Sequence, residues 1–162
     1  MPAMTDPMDA LIDFRRAIAQ REIRVQPADF HPDIFVHVDQ PAGGPRYTYA
    51  LVEGGEVTAV ALLALTEPIE GVPTFQLGYA VMESQRGAGR AQRVAMAAIN
   101  EKCRGLRRNG ISKLYFEAVV DRENMVSLHI AEKVIGGPRT ECLDHDSGVP
   151  AIQFQCLVDS SA

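Results

Sequence analysis

One stretch constrains this chain more than any other: Tyr79-Ala80-Val81-Met82-Glu83-Ser84-Gln85-Arg86-Gly87-Ala88-Gly89-Arg90-Ala91. Upstream of it, Phe75, Leu77, Tyr79 and Val81 alternate with Gln76, Gly78, Ala80 and Met82, the period of a strand. Downstream, Ala91, Val94, Ala95, Ala98, Ile99, Cys103 and Leu106 form an apolar stripe at helical spacing. Gly87 and Gly89 let the backbone bend between the two and let a ligand approach without meeting a Cβ. The first amides of a helix lack intrahelical partners and sit at the positive end of its dipole. Strand, glycine turn and helix N-terminus therefore make a ready phosphate site.

The residues around the glycines narrow the kind of phosphate. A Walker loop needs Gly-Lys-Ser/Thr, and Arg90-Ala91 follows Gly89 instead. A dinucleotide fingerprint needs a third glycine where Gln92 stands, and an acidic residue ending a second strand where Asn109-Gly110 stops a helix. Arg86-Gly87-Ala88-Gly89-Arg90-Ala91 does fit Gln/Arg-x-x-Gly-x-Gly/Ala. It resembles motif A of the GNAT-type N-acetyltransferase superfamily, in which the turn cradles the pyrophosphate of acyl-coenzyme A.

The bulk properties bound the rest. The 162 residues suit a single domain spanning 1–162, and 46% hydrophobic with 23% charged residues permits a full core. No apolar run reaches the roughly 18 residues of a membrane span, and no signal peptide is visible. Cys103, Cys142 and Cys156 are odd in number and lack metal or redox spacing, so they read as reduced. These features point to the cytoplasm and away from a membrane. The net charge of −5 argues against nucleic acid as the main partner. The four histidines show no metal spacing; Asp144-His145-Asp146 reads as turn chemistry, and no metal is expected.

In chain order, Asp6-Pro7 opens a helix whose inward side holds Met8, Leu11, Ile12, Ile18 and Ala19. Residues 34–39 form a strand. Residues 46–53 and 56–65 form a hairpin around Gly54-Gly55, the second arm apolar enough for a central strand. Loops at 41–45 and 68–73 flank it, and 74–82 is the strand that feeds the glycine turn. Residues 113–120 form a strand parallel to it, because a strand-helix-strand connection is normally a right-handed crossover. Asn124 caps a helix from Met125 to about Ile135, and Gly136-Gly137-Pro138 stops it. Residues 139–143 and 151–158 read as a last hairpin.

This order resembles the GNAT core over residues 46–158. The resemblance implies an α/β (α+β) fold: a mixed central sheet of about six or seven strands with helices on both faces. It implies acetyl-CoA as cosubstrate and an acceptor that is a small-molecule or peptide amine. It places coenzyme A against Val81, Met82, Arg86, Gly87, Ala88, Gly89, Arg90 and Ala91. A second family motif at Asn124-x-x-Ser127 adds Asn124 and Ser127 beside the thioester and the pantetheine arm. A backbone N–H between Tyr79 and Met82 would hold the oxyanion. Similar enzymes place a glutamate at Glu117, the first candidate general base; Glu83 is the second. Arg104, Arg107 and Arg108 could reach a 3′-phosphate, or equally form a solvated helix face. Two departures stand out. The family's frequent tyrosine, seven residues after the Asn, is Ala131 here, and a helix precedes the first strand. The first keeps a non-catalytic acyl-CoA-binding or sensor module as the alternative; the second keeps the acceptor unidentified. A homodimer is left open.

Overall fold

Asp6 and Pro7 open the first helix as their chemistry dictates. In the computed structural model, which describes residues 6–41, 44–145 and 147–160, Asp6 Oδ1 accepts the Met8 amide at 2.9 Å, and Pro7 takes the first position of α1 (Pro7–Ala19). Leu11 and Phe14 are the buried residues of α1; Ile12, expected inward, is exposed. Residues 1–5, Ala42, Gly43 and Asp146 lie outside the described residues, and with them parts of the expected N-terminal fray, the 41–45 loop and the 144–146 turn.

Eight strands form one sheet in the order β1-β2-β3-β4-β5-β6-β8-β7. They are β1 (Gln26–Pro27), β2 (Ile34–Asp39), β3 (Arg46–Glu53), β4 (Glu56–Ile69), β5 (Val72–Val81), β6 (Lys113–Asp121), β7 (Arg139–Leu143) and β8 (Pro150–Asp159). The count exceeds the expected six or seven because the two-residue β1, lodged in a proline-bracketed connector, pairs with β2 through Gln26↔Val36 and Pro27↔Phe35. A second difference concerns Pro68, read as a loop residue. β4 runs through it to Ile69, and the pairing register shifts between Thr66 and Ile69, so the missing N–H falls in an irregular part of the ladder. The turn shrinks to Glu70-Gly71, both at positive φ (50° and 78°), the geometry of a tight hairpin.

The alternation read from sequence sets the two faces. Ala59, Ala61 and Leu63 of β4, with Phe75, Leu77 and Val81 of β5, face α2 (Arg90–Arg108) and α3 (Met125–Val134). Phe116 and Ala118 of β6 and Phe154 of β8 complete that core. The opposite face meets α1 through a smaller cluster of Leu11, Phe14, Ala50, Val57 and Val60. Gly78 is required there: a Cβ would lie 3.2 Å from Pro7 Cγ, so the missing side chain lets α1 settle onto β5.

Two charged residues on α2 are buried in phase with its apolar stripe. Glu101 accepts the amides of Asp29 (3.0 Å) and Phe30 (2.8 Å) and pairs with His31 Nδ1 at 2.6 Å, which ties the connector before β2 to the helix. Lys102 places its Nζ 3.0 Å from the centre of the Tyr47 ring. Burial pushes its ammonium down to about 8.

The parallel pairing of β5 with β6 is short. Thr74↔Tyr115, Phe75↔Phe116 and Gln76↔Glu117 are its registered pairs. Beyond Gln76, β5 stays on β4 to Val81, and beyond Glu117, β6 stays on β8 to Asp121. The sheet is therefore split into a wedge that opens toward the glycine turn.

Candidate functional site

The wedge exposes one edge of β5. The Met82 amide donates to the Thr58 carbonyl on β4 at 2.9 Å. Amide direction alternates along a strand, so Ala80 and Gly78 also face β4, while Leu77, Tyr79 and Val81 turn their N–H and C=O groups into the gap. Of Val81, which ends β5, and Met82, which follows it, both expected against the ligand, Val81 thus has a free amide and Met82 does not. The sequence could not separate them, because the sense of the alternation depends on which strand pairs on which side.

At the open end of the wedge the chain makes a single 3₁₀ turn, Glu83–Gln85, then passes through Gly87 (φ 87°) and Gly89 (φ 74°) into α2. A Cβ on either glycine would meet no protein atom within 4 Å. The space over the turn is open, and the left-handed backbone is what demands glycine. Among the described residues, the amides from Gly87 to Gln92, across Ala88, Gly89, Arg90 and Ala91, meet no protein acceptor. They form a crown of donors at the positive end of a 19-residue helix.

The two arginines of the motif brace the turn. Arg86 Nε donates to the Val81 carbonyl at 3.3 Å, and its Nη2 lies 3.9 Å from Met8 Sδ on α1. Arg90 pairs with Glu53 of the β3–β4 hairpin at 2.6 Å and donates to the Gln85 carbonyl at 2.9 Å. The hydrogen bonds from Arg90 and Thr58 hold the Glu53 carboxyl below the ordinary carboxylate range. Arg104 stacks on Phe30 at 3.9 Å, and Arg108 pairs with Asp29 at 2.5 Å, so those two cations also serve the connector before β2.

The far wall of the wedge is α3. Asn124 Oδ1 accepts the Ser127 amide at 3.0 Å and caps the helix. The Tyr79 hydroxyl crosses from β5, donates to the Ser127 carbonyl at 2.7 Å and meets Ser127 Oγ at 2.9 Å. Burial pushes the Tyr79 hydroxyl above its ordinary value, so it stays protonated across the neutral range. Tyr79 had no assigned part in the sequence reading beyond its backbone; the signal for it was its place on the core side of the motif strand. Ala131 is fully buried.

Glu117 sits at the closed end of the wedge, half-buried. Its Oε2 receives the side-chain amides of Gln153 (3.1 Å) and Gln155 (3.4 Å), while Oε1 has no protein donor among the described residues. Glu83 lies at the other end of β5, seven residues on from Gln76, roughly 20 Å at the rise of a strand. The structure therefore separates the two candidate bases. Among the described residues, no group of three or more His, Cys, Asp or Glu side chains could hold a metal ion, and no helix is long and apolar enough to cross a membrane.

No known protein-family profile and no curated protein matches the sequence. Solved structures do match the fold. One is the acetyltransferase of the GNAT family from Streptococcus pneumoniae, with a TM-score of 0.52 at 14% identity over 95% of this chain and 96% of that one. Another is RimL, the ribosomal L7/L12 alpha-N-protein acetyltransferase, in complex with coenzyme A, with a TM-score of 0.53 at 18% identity over 72% of this chain. The match spans 64% of the length of RimL. The chain has the fold of the GNAT acetyltransferases.

Proposed function

We propose that this chain is an N-acetyltransferase that moves an acetyl group from acetyl-CoA to a primary amine by direct attack. One observation carries the reading: the free amides at the start of α2 run into the free edge of β5, and that edge ends at Glu117. A diphosphate on the amides, an extended arm along Val81, Tyr79 and Leu77, and a thioester near the closed end would occupy one continuous groove. RimL, of the same fold, binds coenzyme A.

The chemistry follows from these positions. The acceptor arrives as an ammonium and gives a proton to Glu117 Oε1, directly or through one water. The amine lone pair attacks the thioester carbonyl carbon. The C–N bond forms, and the carbonyl electron pair moves onto oxygen, where the N–H of Tyr79 or Val81 holds it. The C–S bond then breaks, and the thiolate takes a proton from solvent. Its pKa, near 8.5 by analogy with cysteine, makes it a fair leaving group without a dedicated acid, which suits a chain with Ala131 in place of a tyrosine. Asn124, Ser127 and Tyr79 hold the α3 wall. Arg86 and Arg90 shape the turn, and Gly87, Ala88, Gly89, Arg90 and Ala91 give the phosphates their amides. Glu83, at the phosphate end, has no proton transfer assigned to it.

Isothermal titration with coenzyme A, ATP and NAD tests the donor, and steady-state thiol release with acetyl-CoA and a panel of amines tests the reaction. Coenzyme A should bind and the two nucleotides should not. Tighter binding of ATP or NAD sinks the reading. Coenzyme A binding with no thiol release from any amine leaves the non-catalytic sensor instead.

A further inference from the structure

β8 carries two glutamines two residues apart, Gln153 and Gln155, on the face of the sheet that Glu117 shares. The other face of the strand gives Ile152 and Phe154 to the core. A polar residue on an open strand face needs no explanation by itself. What singles these two out is where they point. Gln155 is registered opposite Glu117, and Gln153 opposite Val119, the next residue of β6 on that face. From these two rungs both side-chain amides reach the same atom: Oε2 of Glu117 accepts Gln153 Nε2 at 3.1 Å and Gln155 Nε2 at 3.4 Å.

An ionised carboxylate only accepts, so it is the amide nitrogens that must face it. Their bonds are charge-assisted, and with both on one oxygen they fix the carboxyl torsion and leave Oε1 unencumbered. The carboxylate is half-buried and has no cationic partner among the described residues, so neutral donors are what offset its desolvation. The kind of donor matters. Glu53, which braces the glycine turn, is paired with Arg90. An arginine beside Glu117 would hold the group as firmly, but its charge would favour the carboxylate over the acid and repel an incoming ammonium. Two carboxamides orient the group and leave its charge whole.

Resting on the acetyltransferase reading, we propose that Gln153 and Gln155 are the positioning residues of the base: they hold Oε2, present Oε1 to the acceptor and add no charge. Oε1 takes one proton from the incoming ammonium, and the amine keeps the electron pair that attacks the thioester carbon. Oε2 is then the carbonyl oxygen of a carboxylic acid and still accepts both amides. The acid returns its proton to solvent after the product leaves. The two donors therefore serve both protonation states without rearranging. Neither glutamine takes or gives a proton itself.

The test uses Gln153→Met and Gln155→Met, which keep the length of the side chain and remove its donor. With acetyl-CoA and the most active primary amine of the thiol-release panel, kcat should fall about tenfold in each variant and up to about 10²-fold in the pair, while KM for acetyl-CoA stays within about twofold. In a Glu117→Gln background the same substitutions should cost nothing further, because they act through Glu117. Gln153→Arg should raise KM for the amine about tenfold or more by repelling the ammonium. Equal losses in the two backgrounds overturn the proposal. So does a wild-type kcat in the double methionine variant, or an unchanged amine KM in Gln153→Arg. Failure of the acetyltransferase reading looks different: the wild type releases no thiol with any amine. Nuclear magnetic resonance of the wild type then still decides. The carboxyl carbon of Glu117 and the side-chain amide protons of Gln153 and Gln155 should share one titration midpoint, and amide signals that do not follow the carboxyl overturn the proposal.

Discussion

Gln76 and Glu117 are the last registered pair between β5 and β6, and both lie on the face of the sheet that carries α1. Everything functional is measured from that rung. On one side of it the wedge opens along β5 to the glycine turn; on the other, β5 and β6 stay paired back to Thr74 and Tyr115. A carboxylate at the closed end can take a proton from an acceptor amine and leave the open length of the wedge to the donor.

Glu117→Gln should therefore separate chemistry from binding. Turnover should fall by roughly 10²–10⁴, the usual worth of a positioned base. Coenzyme A affinity should stay nearly unchanged, because the amides at the start of α2 are remote from the substitution. Thiol release and calorimetry on the same preparation check both halves. A wild-type kcat in this variant would remove Glu117 from the mechanism and leave a water chain in its place.

Gly89→Val addresses the other end. Gly89 sits at φ 74° as the N-cap of α2, and an added Cβ meets no protein atom. The cost to the fold is then backbone strain alone, on the order of 1–3 kcal/mol. The side chain would, however, project over the amides that await the phosphates. Binding of coenzyme A should be abolished in a protein that still unfolds cooperatively. Retained affinity in calorimetry would mean that the turn is a plain strand-to-helix connection.

The turn and the sheet were legible because their signals are local. Alternation, paired glycines and an N-cap each act within a few residues, and β3, β4, β5 and α2 appear where those signals stand. What stayed hidden depends on distant partners. Glu101 and Lys102 carry charges, so a stripe drawn from apolar residues passes over them, yet they follow Ala98 by three and four residues, in phase with the buried stripe. Only the amides of Asp29 and Phe30, some seventy residues earlier, and the ring of Tyr47 make those positions habitable. The bond of Tyr79 to Ser127 spans 48 residues and is equally invisible to a local pattern. Pro68 misled for the opposite reason: its local meaning is a break, and an irregularity in the pairing absorbed it.

Lys102 gives a prediction in pH. The aromatic face of Tyr47 favours the ammonium, but burial opposes it and wins, so the folded value is about 8 against 10.5. The unfolded chain binds more protons than the folded one between those values, so stability should rise as pH increases from about 8 to 10.5 and carry the full penalty below 8. Lys102→Met keeps the stem, and its sulfur suits the aromatic neighbours. It should stabilise the fold by roughly 1–3 kcal/mol at pH 7, with the gain fading toward pH 10.5. Urea midpoints across that range check the slope; a pH-independent difference between the two proteins contradicts it.

Gly137 links the last turn to Glu117. Its φ is 70°, and a Cβ there would lie 2.3 Å from the backbone oxygen of Gln155, far inside contact distance. Gln155 is registered opposite Glu117 and donates its side-chain amide to the carboxylate. Gly137→Ala must therefore push β8 away, costing roughly 2–4 kcal/mol from strain and overpacking. It should also lower turnover, through the displaced amide, although Gly137 itself lies outside the wedge. Gly136→Ala is the control: its φ is 62°, and the nearest atom to its Cβ is the Glu132 oxygen at 3.2 Å, within α3 and away from β8. That variant should lose less stability and keep its kcat. Urea denaturation with thiol-release kinetics on both variants decides it. Equal kcat losses in the two would show that the effect travels through general loosening of the turn and not through Gln155.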